Sequence, residues 1–319
     1  ASVTLDGDGH KVSGNTQIAV EAAGGTVKNV EFDGIGTRTA PVAAVMTAEG
    51  LTNALTVTGC TFTNDGYART NVVVKPVAGA KVTVTGNTFA GLSGTAVVVD
   101  PASEDAVDYE ATVTGNVFRK TGTATRAFAV VGAADAAKLA LDGNYVADGL
   151  HFGASADGEN VSEIAYKMLA EAGAAEATVD LPTFIIKRTA SDGYPTLLGF
   201  DSLAAAVADA KSGETVLVTA NAELTEAVAV QKNVTVDGQG YAITASGEWS
   251  LKGAPGKVTL TDVTLAFADG DARLGGNVVL GDGVTVDASA VTTEGALYAT
   301  GVTVSGTNVT VVAGTVQAG

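Results

Sequence analysis

The stretch "VTVTGNTF", Val82 to Phe89, decides how the rest of the chain is read, because it recurs. "LTVTGCTF" stands at Leu55 to Phe62 and "ATVTGNVF" at Ala111 to Phe118. Aligning "VKNVEF", Val27 to Phe32, with these copies puts Phe32, Phe62, Phe89 and Phe118 in one register. "LALDGNYV", Leu139 to Val146, adds Val146 to the same slot. The steps are 30, 27, 29 and 28 residues. A period of this size with no 3.6-residue stripe inside it marks a strand repeat, not a helical one.

A second apolar strand accompanies each copy: "IAVEAAG" from Ile18, "VAAVMTAEG" from Val42, "VVVKPVAG" from Val72, "VVVDPASE" from Val97 and "FAVVGAAD" from Phe128. Each repeat is then one coil of a solenoid. Parallel stacking of such coils about 4.8 Å apart, with the usual right-handed crossover, predicts a right-handed parallel β-helix. Within "VTVTGNTF", Val82 and Val84 alternate with Thr83 and Thr85, so the valines point inward and the threonines outward. Gly86 supplies a corner. Asn87 sits in a slot that Asn116 and Asn144 fill in the next two coils, where stacked amides can hydrogen-bond along the axis. Val30 and Cys60 hold that slot in earlier coils, so Cys60 is expected to be a buried ladder residue rather than a nucleophile.

Composition agrees with this reading. The chain has 319 residues, 46% of them apolar but only 5% aromatic, with 40 glycines. The core is therefore built of small and β-branched side chains, with Gly, Asn and Asp for the turns. The net charge is -17 and is spread along the chain: 17 acidic and 10 basic residues over 1–159, then 18 and 8 over the remainder. Such a surface repels nucleic acid and anionic lipid, and neither is an expected partner. The lone Cys60 excludes a disulfide framework and a cysteine zinc cluster. No apolar run approaches the roughly 20 residues that span a bilayer, so membrane insertion is not expected. A start at Ala1 with no signal peptide suggests a processed or excised piece of a longer protein.

After Gly149 the pattern changes. "ENVSEIAYKMLAEAGAAEA" carries Val161, Ile164, Ala165, Met168 and Leu169 at helical spacing, which predicts an amphipathic helix from about Ser162 to Ala172. "TFIIKRTASDGYPTLLGF" reads as a hairpin around Ser191 to Gly193. "DSLAAAVADAKSG" follows as a short helix with Asp201 as its N-cap and Gly213 just past its end. Strand alternation then returns in shorter coils. "VTVDGQGYAIT" from Val234 matches "VTLDGDGHKVS" from Val3, so the two solenoids read as copies of one domain. The expected fold is all-β: two tandem right-handed parallel β-helices with short capping helices. Residues 1–159 form the first, without an N-terminal cap; 160–199 form a helix-and-hairpin connector; 200–319 form the second, with an N-terminal helix.

The run from Phe200 to Thr244 resembles the opening of pectate-lyase-like β-helix domains of bacterial surface and adhesin-type proteins. The similarity rests on a short helix, the Gly-Glu-Thr-Val turn at Gly213 to Val216, and Lys-Asn-Val-Thr-Val-Asp-Gly at Lys232 to Gly238. It implies a secreted β-helix protein. Relatives of that kind include polysaccharide lyases, glycoside hydrolases and binding proteins without catalysis.

Glycoside hydrolysis needs two or three carboxylates on one face. The adjacent Asp-Asp, Gly-His-Gly and Arg-Ile-Lys elements of polygalacturonase-like enzymes do not occur here, and the six arginines stand in no recognisable setting. No catalytic residue is assigned. The densest acidic stretch is "DPASEDAVDYE", Asp100 to Glu110. There Asp100, Glu104, Asp105 and Asp108 could hold Ca²⁺ or a sugar, with Tyr109 as a stacking surface. The plain alternative is a solvated loop in which Asp100 pairs with Lys75, one coil earlier. His10, in "DGDGH", and Asp269 with Asp271, in "ADGDARLGG", read as turns rather than calcium loops. His10 and His151 do not form a recognisable site. Trp249 is a sugar platform or a packing residue, and Asn160, Asn233 and Asn308 head sequons.

The expected function is a non-catalytic extracellular surface module, a stalk or adhesive element with a glycan or host-surface ligand. The rival is a carbohydrate-active enzyme with an atypical acidic site between Asp100 and Arg126. Both ends, "ASVTLDG" and "VTVVAGTVQAG", read as mid-solenoid strands, which predicts head-to-tail self-association unless flanking domains cover them.

Overall fold

A computed structural model describes residues 3–14, 16–36, 42–63, 70–90, 95–101, 107–119, 126–130, 133–147, 151–152, 154–155, 164–170, 173–180, 182–189, 195–246, 250–268, 273–290, 297–312 and 316–317. The chain divides into two compact units: Ala1–Asp180 with Ala190–Leu197, and Leu181–Thr189 with Leu198–Gly319. Segment 160–199 is shared between them. Each unit is a right-handed parallel β-solenoid.

In the first unit the recurring octapeptide is not one strand but two. Lys81–Thr85 and Thr88–Ala90 belong to different sheets, separated by Gly86 at φ +64° and by Asn87. Gly59, Gly115 and Gly143 take the same left-handed conformation at the same corner, and Asn29 does so one coil earlier, a conformation that Asn tolerates. Each coil therefore has three sides. The first sheet stacks Val3–Asp6, Gly24–Lys28, Ala54–Thr58, Lys81–Thr85, Glu110–Thr114 and Leu139–Ala140. The second stacks Lys11–Gly14, Glu31–Ile35, Thr61–Thr63, Thr88–Ala90, Val117–Phe118 and Asn144–Val146. The third includes Ile18–Val20, Val45–Thr47, Val72–Val74, Thr95–Val99 and Arg126–Val130. All of these pairings are parallel, with Phe32, Phe62, Phe89, Phe118 and Val146 in register as the repeat requires.

Two axial arrays fill the lumen. The four phenylalanine rings stack with centroids 4.9, 4.6 and 4.9 Å apart and planes within 8° of parallel. Beside them runs the amide ladder. Asn87 Nδ2 donates to Asn116 Oδ1 at 3.0 Å, and Asn116 Nδ2 donates to Asn144 Oδ1 at 3.0 Å. Each amide oxygen also accepts a backbone N–H from the preceding coil: Cys60 N to Asn87, Asn87 N to Asn116, Asn116 N to Asn144. The remaining amide hydrogens reach the carbonyls of Val57, Val84 and Val113, so three fully buried amides are satisfied.

The expected helix from Ser162 to Ala172 is not formed. Ile164–Ala170 is a strand, antiparallel to Gly173–Asp180 through seven residue pairs, and Gly173–Asp180 in turn pairs in parallel with Asn144–Val146. An isolated helix of about three turns is marginal. The unpaired edge left by Asn144–Val146 offers this segment backbone partners that a helix could not use.

The second unit is simpler. Phe184–Thr189 lies antiparallel to Thr215–Val218. Parallel stacking then continues through Val234–Asp237, Ser250–Thr261, Arg273–Leu280 and Leu297–Val304. A second sheet stacks Ala222–Leu224, Ala242–Ala245, Thr264–Phe267, Thr285–Asp287 and Thr310–Val312. Phe184–Thr189 and Pro195–Phe200 are the strands of the expected hairpin; its turn at Ser191 to Gly193 lies outside the described residues. The short helix spans Leu203–Asp209, and its N-cap is Ser202 rather than Asp201. Ser202 is extended and its Oγ accepts from Ala205 N at 3.1 Å, so the helix starts one residue later than the sequence pattern suggests. Two cations hold its C-terminal end: Lys232 Nζ donates to the carbonyls of Ala208 and Ala210, and Arg188 Nη2 donates to both the carbonyl and the carboxylate of Asp209. Arg188 also grips Glu214 with two 2.8 Å bonds.

Two predictions follow from these contacts. Asn116→Ala strands the Asn87 N–H and the Val84 carbonyl inside the lumen, which costs roughly 2–5 kcal/mol for two unsatisfied buried groups. Thr83→Val, on the outward face, stays within about 0.5 kcal/mol; denaturant unfolding of both variants checks the contrast. Hydrogen bonds from Arg188 hold the Glu214 carboxyl below its ordinary value of 4.5. A depressed folded-state value stabilises above the unfolded value and is lost as pH falls through the folded one. The stability deficit of Glu214→Gln is therefore expected at neutral pH and should shrink on acidification below about 4.5, as denaturation midpoints measured across that range would show.

Candidate functional site

The acidic stretch lies where the chain passes from Thr95–Val99 of the third sheet to Glu110–Thr114 of the first. Its start and end are fixed by the neighbouring coils. Asp100 N donates to Val74 O, Gly79 N donates to Asp108 O, and Val107 forms an isolated parallel bridge with Ala133. Glu104 and Asp105 lie outside the described residues.

Of the described candidates, Asp100 is exposed and stands beside Lys75 in the register, yet no ion pair joins them among the described residues. Asp108 is paired with Lys138 of the next coil at 2.6 Å, and that hydrogen bond raises the lysine's pKa above its ordinary value. Glu110 is paired with Lys81 of the coil before at 3.0 Å. Tyr109 is 1% exposed, so its ring packs inside rather than facing solvent as a stacking platform. Burial, and secondarily the Asp100 carboxylate, push its phenol well above the usual tyrosine range. Alternation explains the inward ring: Tyr109 falls between two outward acids on a segment that is joining a strand. Among the described residues no group of three acidic, histidine or cysteine side chains is placed to hold a metal ion.

Other candidates resolve as parts of the scaffold. His10 is exposed at a tight turn, its Nδ1 2.9 Å from the Gly7 carbonyl oxygen. His151 opens a two-residue strand whose register pairs it with Arg126. Trp249, Asp269, Asp271 and Asn160 lie outside the described residues, and Asn233 and Asn308 are exposed. Cys60 is buried in the ladder slot, with its Sγ 3.5 Å from Thr58 O and 3.8 Å from Val27 O. Burial pushes its thiol up, away from the reactive thiolate.

One feature escaped the sequence pattern. Asn71 is 1% exposed, and its Nδ2 has no hydrogen-bond partner among the described residues. It stands in a column with Ala44 and Ala96, and that substitution of an amide for alanine was the available signal. The outward threonines expected from the repeat form an array on the first sheet. Thr26, Thr56, Thr83 and Thr112 form one half-buried column, and Thr58, Thr85 and Thr114 form the next.

No protein-family model matches the chain, no curated protein is detectably similar to it, and no solved structure matches it. What the structure establishes is a parallel β-solenoid.

The burial of Cys60 gives a direct prediction. A thiol-specific disulfide reagent leaves the folded protein unmodified and labels one thiol after denaturation, with labelling under native conditions no faster than unfolding.

Proposed function

We propose that this chain is a non-catalytic surface module, a β-solenoid stalk or adhesive element that works outside the cell and meets a glycan or a host-surface ligand on its outer faces. One observation carries the reading: among the described residues of the first unit, charged side chains on the outer face pair from one coil to the next. Lys11 binds Glu31 and Asp33, Lys28 binds Asp6, Lys81 binds Glu110 and Lys138 binds Asp108, each across neighbouring coils. The buried amides serve the same end. Exposed pairs of this sort contribute little individually, and what they fix is register.

A lumen packed with Phe, Val and Leu leaves recognition to the outside. The threonine columns and the loops between sheets are the surfaces on offer, and the acid-rich surface disfavours anionic partners. A glycan array read with the intact protein, alongside incubation with pectin, alginate and mucin glycans, tests the proposal. Binding to neutral glycans without cleavage is the expected result. Release of reducing sugar or of unsaturated product would overturn the non-catalytic assignment. Alanine replacement of Asp105 and Asp108 would then identify a site in the acidic loop by loss of turnover.

A further inference from the structure

The outward threonines of the first sheet stand abreast as well as stacked. Thr56 with Thr58, Thr83 with Thr85, and Thr112 with Thr114 occupy three successive coils, and Thr26 continues the first column. No bulge interrupts the register from Gly24–Lys28 to Glu110–Thr114. Val57, Val84 and Val113 are fully buried between the members of each pair, which turns both threonines outward. Strand propensity accounts for scattered outward threonines. In the second unit, among the described residues, threonines stand abreast on a single coil, as Thr259 and Thr261.

The paired columns make a lattice with two repeats. Coils lie about 4.8 Å apart, and threonines two residues apart on one strand are separated by roughly 7 Å. The phenylalanine rings stacked in the lumen differ in plane by only 6–8° from coil to coil, whereas neighbouring strands of an ordinary sheet are rotated by about 20–25°. Threonine is β-branched and holds few rotamers, and Thr85 Oγ1 lies 3.4 Å from Thr114 Oγ1. The face is therefore ordered before any ligand arrives.

Charge, shape and area restrict what such a face can take. On a chain of net charge -17, no charged side chain enters the two columns between Thr56 and Thr114. The Lys28–Asp6 pair precedes them and the Lys81–Glu110 pair runs along one side. Gly59, Gly86 and Gly115 bound the other side and carry no side chain. An uncharged partner fits this surface. Small free ligands bind in concave sites, and no aromatic ring stands in the columns to stack on a sugar. Four coils, two residues across, cover on the order of 200 Å², well short of the ~800 Å² per partner in a stable protein contact. What fits is an extended, uncharged solid whose own oxygen lattice has the spacings of the threonines. The prism face of hexagonal ice repeats its oxygen atoms at nearly those two distances.

We propose that the threonine face of the first sheet binds ice. Each hydroxyl donates to and accepts from water held in register with the crystal, and the methyl groups fill the hollows between the oxygen atoms. The rigid array meets its ordering cost once for all its contacts. The assignment is independent of the glycan reading.

Slow freezing of a dilute solution of the intact chain onto a cooled probe tests this, with protein measured in the ice and in the remaining liquid. Wild type is expected to be enriched in the ice and to halt recrystallisation under the microscope. Thr83→Tyr lifts a ring out of the plane at the centre of the face and is expected to lower the ice-to-liquid ratio at least tenfold. Thr259→Tyr, on the second unit, is expected to leave the ratio unchanged. Circular dichroism checks that the variants are folded, and Thr85→Lys replaces Thr83→Tyr if that one is not. A wild type left in the liquid overturns the proposal whatever the variants do. So does a folded face variant that enters the ice like the wild type, or a loss with Thr259→Tyr as complete as with Thr83→Tyr. Retention on crystalline cellulose together with exclusion from ice would assign the face to a solid polysaccharide instead. The ice measurement contains no sugar, so it succeeds or fails independently of the glycan array.

Discussion

A primary amide sits in an apolar lumen at little cost only where its donors and acceptor are met, and at Asn87, Asn116 and Asn144 the coils on either side meet them. The Asn116 oxygen takes the backbone N–H and side-chain N–H of Asn87 from one coil, and its own amide reaches Val84 O and Asn144 Oδ1 in two directions along the axis. Slipping a coil by one residue would turn the amide to solvent and strand the groups it serves, since side-chain direction alternates along a strand. The ladder thus sets the register, and the rest follows from it. Phenylalanine rings two residues beyond this slot, which holds Val30, Cys60, Asn87 and Asn116 in successive coils, fall on one another within 5 Å. Lysines and acids on the outer face meet across coils for the same reason.

The second solenoid keeps register by other means, and its core columns are mostly aliphatic. Its polar anchors sit on the outside, where side-chain oxygens of one coil accept backbone N–H groups of the next: Asn221 from Ala242, Asn233 from Lys257, Asp282 from Thr307. Surface anchors of this sort compete with water and specify less sharply than a buried ladder. Capping does part of the work instead. The helix Leu203–Asp209 buries Leu203, Ala206 and Val207 in the core, and the Arg188 clamp ties its end to the turn that opens the first coil.

The parallel solenoid, its register, the inward asparagines and the buried cysteine were all legible in the sequence, because each repeats and a repeat reports its own alignment. What did not repeat was misread or hidden. Segment Ile164–Ala170 has helical spacing, but its conformation is decided by the strand edge at Asn144–Val146, a tertiary influence that no local pattern carries. Ser202 and Asp201 are both good caps, and only the backbone angles choose between them. Tyr109 looked like an exposed platform because it stands among acids; alternation at the strand entrance turns it inward while its neighbours face out. Asn71 shows the converse case. It is a lone departure from an alanine column, so nothing in its own coil announced that its amide would be left without a partner among the described residues.

A scaffold that aligns itself coil by coil also constrains where evolution can place a function. Every interior position touches its equivalents above and below, so a change that suits a ligand must also suit two neighbours, and the lumen stays conservative in size and polarity. Corner loops escape that coupling. Between the third and first sheets the crossing lengthens from the short turn after Lys75 to the stretch from Asp100 to Glu110, while the strands on both sides keep their pairing. Insertions at such corners cost little, since closure entropy grows only with the logarithm of loop length. Room for a change that suits a ligand therefore lies at the corners and outer faces of the repeat, not in its lumen.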